Sequence, residues 1–93
     1  MTPAQSRAGR ALVEMTQPSL AAAAGLGLST VVDFERNRRS VSADAVRAIM
    51  AALDAAGVIL IDENGEGPGV RLKKSKGFDE GLRPDELNAS NDD

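Results

Sequence analysis

Residues 17–39 read Gln17-Pro18-Ser19-Leu20-Ala21-Ala22-Ala23-Ala24-Gly25-Leu26-Gly27-Leu28-Ser29-Thr30-Val31-Val32-Asp33-Phe34-Glu35-Arg36-Asn37-Arg38-Arg39. Thr16, just before this stretch, is a hydroxyl cap for a helix, and Pro18 in the first turn costs that helix no hydrogen bond. The alanine run to Ala24 is helix-prone, and Gly25 stands where a helix ends in a left-handed residue. A second helix is expected from Leu28 to about Arg36, with Val31, Phe34 and Glu35 near one face and Asn37 as its left-handed exit. Each residue type answers a packing need. Ala21 and Ala24 let the second helix cross close to the first, Gly25 supplies the turn, and Leu26 plugs it.

Working outward, Thr2-Pro3 starts an earlier helix, whose expected apolar stripe is Ala4, Ala8, Ala11, Leu12 and Met15, with Arg7, Gly9 and Glu14 on the other face. On the C-terminal side Ser42 caps a fourth helix, favoured by Asp44 in its first turn. Val46, Ile49, Met50 and Leu53 form its stripe, and Gly57 ends it. Residues 58–62, Val-Ile-Leu-Ile-Asp, are β-branched and short, and residues 70–73, Val-Arg-Leu-Lys, alternate. With the glycine-rich loop between them they predict a β-hairpin. The expected fold is mainly α: four helices, then a C-terminal β-hairpin. Residues 1–57 form the helical unit, residues 58–75 the hairpin, and residues 76–93 a disordered acidic tail.

Composition excludes several kinds of chemistry. The chain has 93 residues with no Cys, His, Trp or Tyr, and two Phe. Disulfides, zinc fingers and thiol or Ser-His nucleophiles are therefore absent, and no enzyme, metal or cofactor is expected. An aromatic platform for stacking single strands is missing too. No apolar run approaches the roughly 18 residues of a membrane span and no basic-then-apolar leader opens the chain, so the expectation is a cytoplasmic protein. The loop Gly65-Glu66-Gly67-Pro68-Gly69 lacks the Lys-Ser/Thr of a phosphate-binding P-loop and opens no helix, so it reads as a turn. The net charge of −3 argues against nucleic acid only as an average. Residues 76–93 hold Lys76 and Arg83 against six acidic residues, a net of −4, so residues 1–75 carry +1. Arg36, Arg38 and Arg39 fall together with no acid among them.

The helix, glycine turn and helix of residues 16–39 form a helix-turn-helix pattern. The stretch from Gln17 to Arg39 resembles the Cro/phage-repressor (XRE) family of helix-turn-helix DNA-binding domains, and the resemblance covers about residues 3–57. The hairpin is similar to that of small bacterial members. The resemblance implies a lambda-repressor-like fold and a set of DNA-binding residues. Gln17 would contact a phosphate, Leu28, Ser29, Val32 and Asp33 would meet base edges, and Thr30 and Arg36 would lie near the backbone. Arg38 and Arg39 would grip phosphate, and Arg10 and Glu35 would be an ion pair tying the first helix to the third. Gly27 departs from the Ser or Thr usual at its position and weakens the cap of the recognition helix. Apolar Leu28 and Val32 suit thymine methyl groups, and Asp33 suits cytosine N4 or repels the backbone.

The function expected from this reading is a sequence-specific transcriptional regulator, a repressor or autoregulator, that binds a palindromic double-stranded operator as a homodimer. Val58, Ile59, Leu60 and Ile61 are the expected dimer contact. The alternatives are the DNA-binding antitoxin of a toxin–antitoxin pair, and a protein-interaction or anti-activator module that reuses the fold with a regulatory protein as partner.

Overall fold

The computed structural model describes residues 1–74. Four helices, α1 (Pro3–Leu12), α2 (Gln17–Ala24), α3 (Leu28–Glu35) and α4 (Ala43–Ala56), precede two strands, β1 (Val58–Ile61) and β2 (Gly69–Leu72). The strands pair antiparallel, with Val58 opposite Leu72 and Ile61 opposite Gly69. The expected disordered tail, residues 76–93, lies outside the described residues. No helix among the described residues is long and apolar enough to cross a membrane.

Local signals set the helix ends. Thr16 Oγ1 accepts from the Ser19 amide at 3.1 Å, and Ser42 Oγ accepts from the Ala45 amide at 3.0 Å. Gly25 (φ 71°) and Gly57 (φ 106°) close α2 and α4 in the left-handed region, where a Cβ would be strained. Gly27 leaves α3 without a side-chain cap. The core is Leu20, Ala21, Val31, Phe34, Ile49, Ala52, Leu53 and Val58, with Leu26 packed against it as the turn plug.

The inner face of α1 differs from the expected alanine stripe. Ala4, Ala8, Ala11 and Leu12 are exposed, and the residues facing inward are Gln5, Ser6 and Gly9. Three physical reasons decide this. Alanines offer little apolar area, so burying their stripe gains little. Gly9 brings the α1 backbone within reach of Val58 and Leu53; a Cβ added there would lie 3.2 Å from Val58 Cγ1. The two polar side chains bury without loss because both are fully engaged. Gln5 completes a reciprocal capping box with Thr2, accepting the Thr2 amide at 2.8 Å, and its Nε2 donates to the carbonyls of Ile61 and Gly69, each at 3.0 Å. One side chain thus closes the start of α1 and rivets the hairpin to it. The helix also ends earlier than the stripe predicts. Glu14 turns left-handed (φ 56°), and the Met15 amide returns to the Arg10 carbonyl at 2.9 Å.

Candidate functional site

The α2–Gly25–α3 segment presents one face of α3 outward. Val31, Phe34 and Glu35 are buried, while Leu28 and Ser29 are exposed and Val32 and Asp33 are partly covered. Leu28 is 46% exposed, between Leu12 at 39% and Leu72 at 51%. The Leu26 amide returns to the Ala21 carbonyl at 2.9 Å, so the turn is closed by the backbone and α3 is held at a fixed angle to α2. Leu28, Ser29, Val32, Asp33 and Arg36 lie one, four, five and eight residues along from the first, so they form a single outer ridge. Thr30 is partly buried beside that ridge.

The chain turns sharply after α3. Arg36 caps the helix, and Asn37 (φ 55°) takes the left-handed conformation expected of it. The Arg38 amide then donates to the Asp33 carbonyl at 2.9 Å. This places Arg38 and Arg39 beside Asp33 at the end of the ridge. Arg39 Nε donates to Asp33 Oδ2 at 2.8 Å, and Arg38 Nη1 is 3.9 Å from Asp33 Oδ1.

Behind the ridge lies a buried polar cluster centred on Glu35, the last residue of α3. Its carboxylate accepts from Ser6 Oγ at 2.6 Å, Arg10 Nη2 at 2.8 Å and Gln17 Nε2 at 3.0 Å. Arg10 Nε donates to both carboxylate oxygens, and Arg10 Nη1 donates to the Met15 carbonyl at 3.1 Å. Arg7 donates to the Glu35 backbone carbonyl. Burial pushes the Glu35 carboxyl up, but the hydrogen bonds from Arg10, Ser6 and Gln17 and the Arg10 charge outweigh it and hold the group below its ordinary value. A carboxylate so held stays ionised and fixes α1, α2 and α3 to one point.

The residues named from sequence therefore fall into three places. Leu28, Ser29, Thr30, Val32, Asp33, Arg36, Arg38 and Arg39 gather on α3 and its exit. Gln17 stands at the start of α2 with its amide turned inward to Glu35 rather than to solvent. Of the expected dimer residues, Val58 is sealed in the core and unable to meet a partner, Leu60 packs against the core, and Ile59 and Ile61 are half-buried on the opposite face of β1. Val58 is drawn inward because Gly9 leaves room for it. The sequence pattern places Arg7 on the polar face of the first helix without a partner and singles out neither Gln5 nor Ser6. The pattern Thr2-x-x-Gln5 was a readable capping-box signal; Ser6 and Arg7 had none, since their partner is 29 and 28 residues away.

No protein-family model matches the chain, and no curated protein matches it.

Proposed function

We propose that this chain is a sequence-specific DNA-binding transcriptional regulator with a lambda-repressor-like helix-turn-helix, α3 being its recognition helix. The observation that carries the reading is the outward ridge of α3. It is braced from behind by Glu35 and its partners and leads directly into Arg36, Arg38 and Arg39. A major groove admits one helix, and a ridge of this kind fits it with short side chains toward the bases and cations toward the phosphates. Leu28 and Val32 meet thymine methyl groups, and Ser29 donates or accepts at a base edge. One such helix reads only a few base pairs, so the protein works as a homodimer on a palindromic site with half-sites about one helical turn apart. Ile59 and Ile61 are the residues of β1 left to serve that dimer. The protein acts as a repressor or autoregulator.

The test is a gel shift on the DNA upstream of the protein's own coding sequence, at about 150 mM salt, against a scrambled duplex of equal length. Preference for the upstream DNA is expected. Equal retardation of both duplexes, or of neither, overturns the reading.

A second reading, a protein-interaction module built on the same helices, is favoured by the exposed Leu28. Capture of a protein partner, lost in Leu28→Ser while every duplex fails to bind, would support it.

A further inference from the structure

Arg39 and Arg38, which the DNA-binding reading gives to phosphate, already have an anion. The turn after α3 folds back so that the Arg38 amide reaches the Asp33 carbonyl at 2.9 Å, and this return delivers both guanidinium groups to the Asp33 side chain. The Arg39 contact is a full hydrogen bond at 2.8 Å, whereas Arg38 approaches at 3.9 Å. Asp33 is the more sheltered partner, its side chain 21% exposed against 53% for Arg39. The remaining guanidinium contact recorded for Arg39 is a long one, Nη1 to the Ser40 carbonyl at 3.4 Å. Among the described residues Arg36 has no ion-pair partner. A carboxylate and a phosphate present a guanidinium with the same kind of oxygen acceptor, so they compete for one set of N–H donors.

We propose that Asp33 is an internal phosphate competitor, which sets how strongly the arginines after α3 hold the DNA backbone, rather than a reader of bases. This rests on the DNA-binding reading and deepens it. In the free protein Asp33 occupies Arg39 and partly neutralises Arg38. A DNA phosphate must displace the carboxylate before it gains either cation, and the carboxylate then stays close to the backbone it repels. Every duplex bears the cost of that exchange, and non-specific duplex, which offers only phosphates, has nothing to set against it. A cognate site offsets the cost through base-edge contacts along Leu28, Ser29 and Val32. The exchange lowers affinity for every duplex alike, so it sets the level of backbone binding, and the preference for a cognate site comes from the base-edge contacts.

The experiment uses the full chain and a mixed-sequence duplex of about 24 base pairs, read by fluorescence anisotropy from about 50 to 200 mM KCl. Asp33→Asn and Asp33→Ser are compared with the wild type, and both are made again in an Arg39→Ala background. Circular dichroism at each step checks that the helices persist. Both neutral variants are expected to bind the duplex roughly three- to tenfold more tightly at about 100 mM KCl, with a salt slope steeper by about 0.9. The gain should shrink to less than about twofold when Arg39 is absent. Wild-type binding with unchanged or weaker binding by both variants overturns the competitor role and leaves DNA binding standing. Failure of the wild type and of both folded variants to bind at about 50 mM KCl overturns the DNA-binding reading, and the competitor role with it. A gain that persists undiminished in the Arg39→Ala background also overturns the proposal, because it would reduce Asp33 to general charge repulsion.

Discussion

Arg10 Nη2 lies 2.8 Å from Glu35 Oε1, and this pair joins the last turn of α1 to the last turn of α3. The two residues are unequally placed. The Glu35 side chain is fully buried, while that of Arg10 is 19% exposed. Taking a carboxylate out of water costs several kcal/mol unless its partners are complete. Here Ser6 and Gln17 fill the acceptor sites that Arg10 leaves. The pair therefore acts less as a net source of stability than as a condition on the fold: with it intact α2 and α3 keep their mutual angle, and the outer ridge of α3 stays presentable.

The depressed Glu35 pKa fixes the sign of one pH dependence. As pH falls, the unfolded chain takes up this proton first, at the ordinary 4.5, while the folded chain resists. The stabilisation is complete above that value and is lost as pH falls below it through the folded pKa. Urea midpoints from about pH 6 down to about pH 3 should fall for the wild type more steeply than for Glu35→Gln, which has no such proton to take up. Parallel curves for the two proteins would contradict the assignment.

Removing the cation instead of the anion should hurt more. Arg10→Met keeps a long apolar stem but leaves the Glu35 carboxylate buried with only Ser6 and Gln17 as partners. The expected cost is about 3 kcal/mol, near the lower end of the range because Arg10 itself is partly in water. For a domain of this size that corresponds to a fall in Tm on the order of 15 °C. Arg10→Met should also reverse the acid dependence, because an unpaired buried carboxyl prefers its proton. A calorimetric Tm within a few degrees of the wild type would argue against the cluster as described.

What was legible in the sequence follows the range of the forces involved. Thr16, Gly25, Asn37, Ser42 and Gly57 act on the backbone within a few residues of themselves, and each does in the structure what its side chain or lack of one implies. The outer ridge of α3 was also readable, because Val31, Phe34 and Glu35 mark the inner face by spacing alone. The inner face of α1 was not. Its apolar residues are small and its buried ones polar, so periodicity points to the wrong side; the choice depends on Gly9 meeting Val58, 49 positions away in the chain, and on Gln5 reaching Ile61 and Gly69. The anion bound to Arg39 was hidden for a related reason, since the sharp turn at Asn37 decides which side chain the arginines meet.

Gly9 offers a direct test of that close approach. In Gly9→Ala the new Cβ would press on Val58 Cγ1 at 3.2 Å and meet Leu53 at 3.5 Å. The helix gains about 0.8–1 kcal/mol from losing a glycine, so the crowding is largely offset and stability should change by less than about 1 kcal/mol. Gly9→Val adds two more carbons in the same space and should destabilise by about 1–3 kcal/mol. The Val58→Ala change should recover part of the Gly9→Val loss in a double-mutant cycle by chemical denaturation. Purely additive costs would place the two residues apart.

Glu14 sits in the left-handed region without the freedom of a glycine or the tolerance of an asparagine. Glu14→Gly should therefore stabilise the chain by about 0.5–1 kcal/mol, the relieved strain exceeding the added freedom of the unfolded state. An unchanged or lower urea midpoint would show that the turn after α1 carries no strain.

The DNA-binding reading divides the labour between Ser29 and Arg38, and the division is measurable. Ser29 is exposed on the ridge of α3 and Arg38 stands after the helix; on that reading the Ser29 hydroxyl would meet a base edge and Arg38 a phosphate. Arg38→Ala should weaken binding to all duplexes alike and reduce the salt slope by close to 0.9 for each protomer bound, the share of one phosphate per half-site. Ser29→Ala should leave the slope unchanged and relax preference at one position of each half-site, by about 1 kcal/mol or fivefold. Sequencing the duplexes each variant retains from a random library compares the two profiles directly. Equal loss of sequence preference in both variants would mean that the ridge and the arginines do not play separate parts, and α3 would then lose its role as the reading helix.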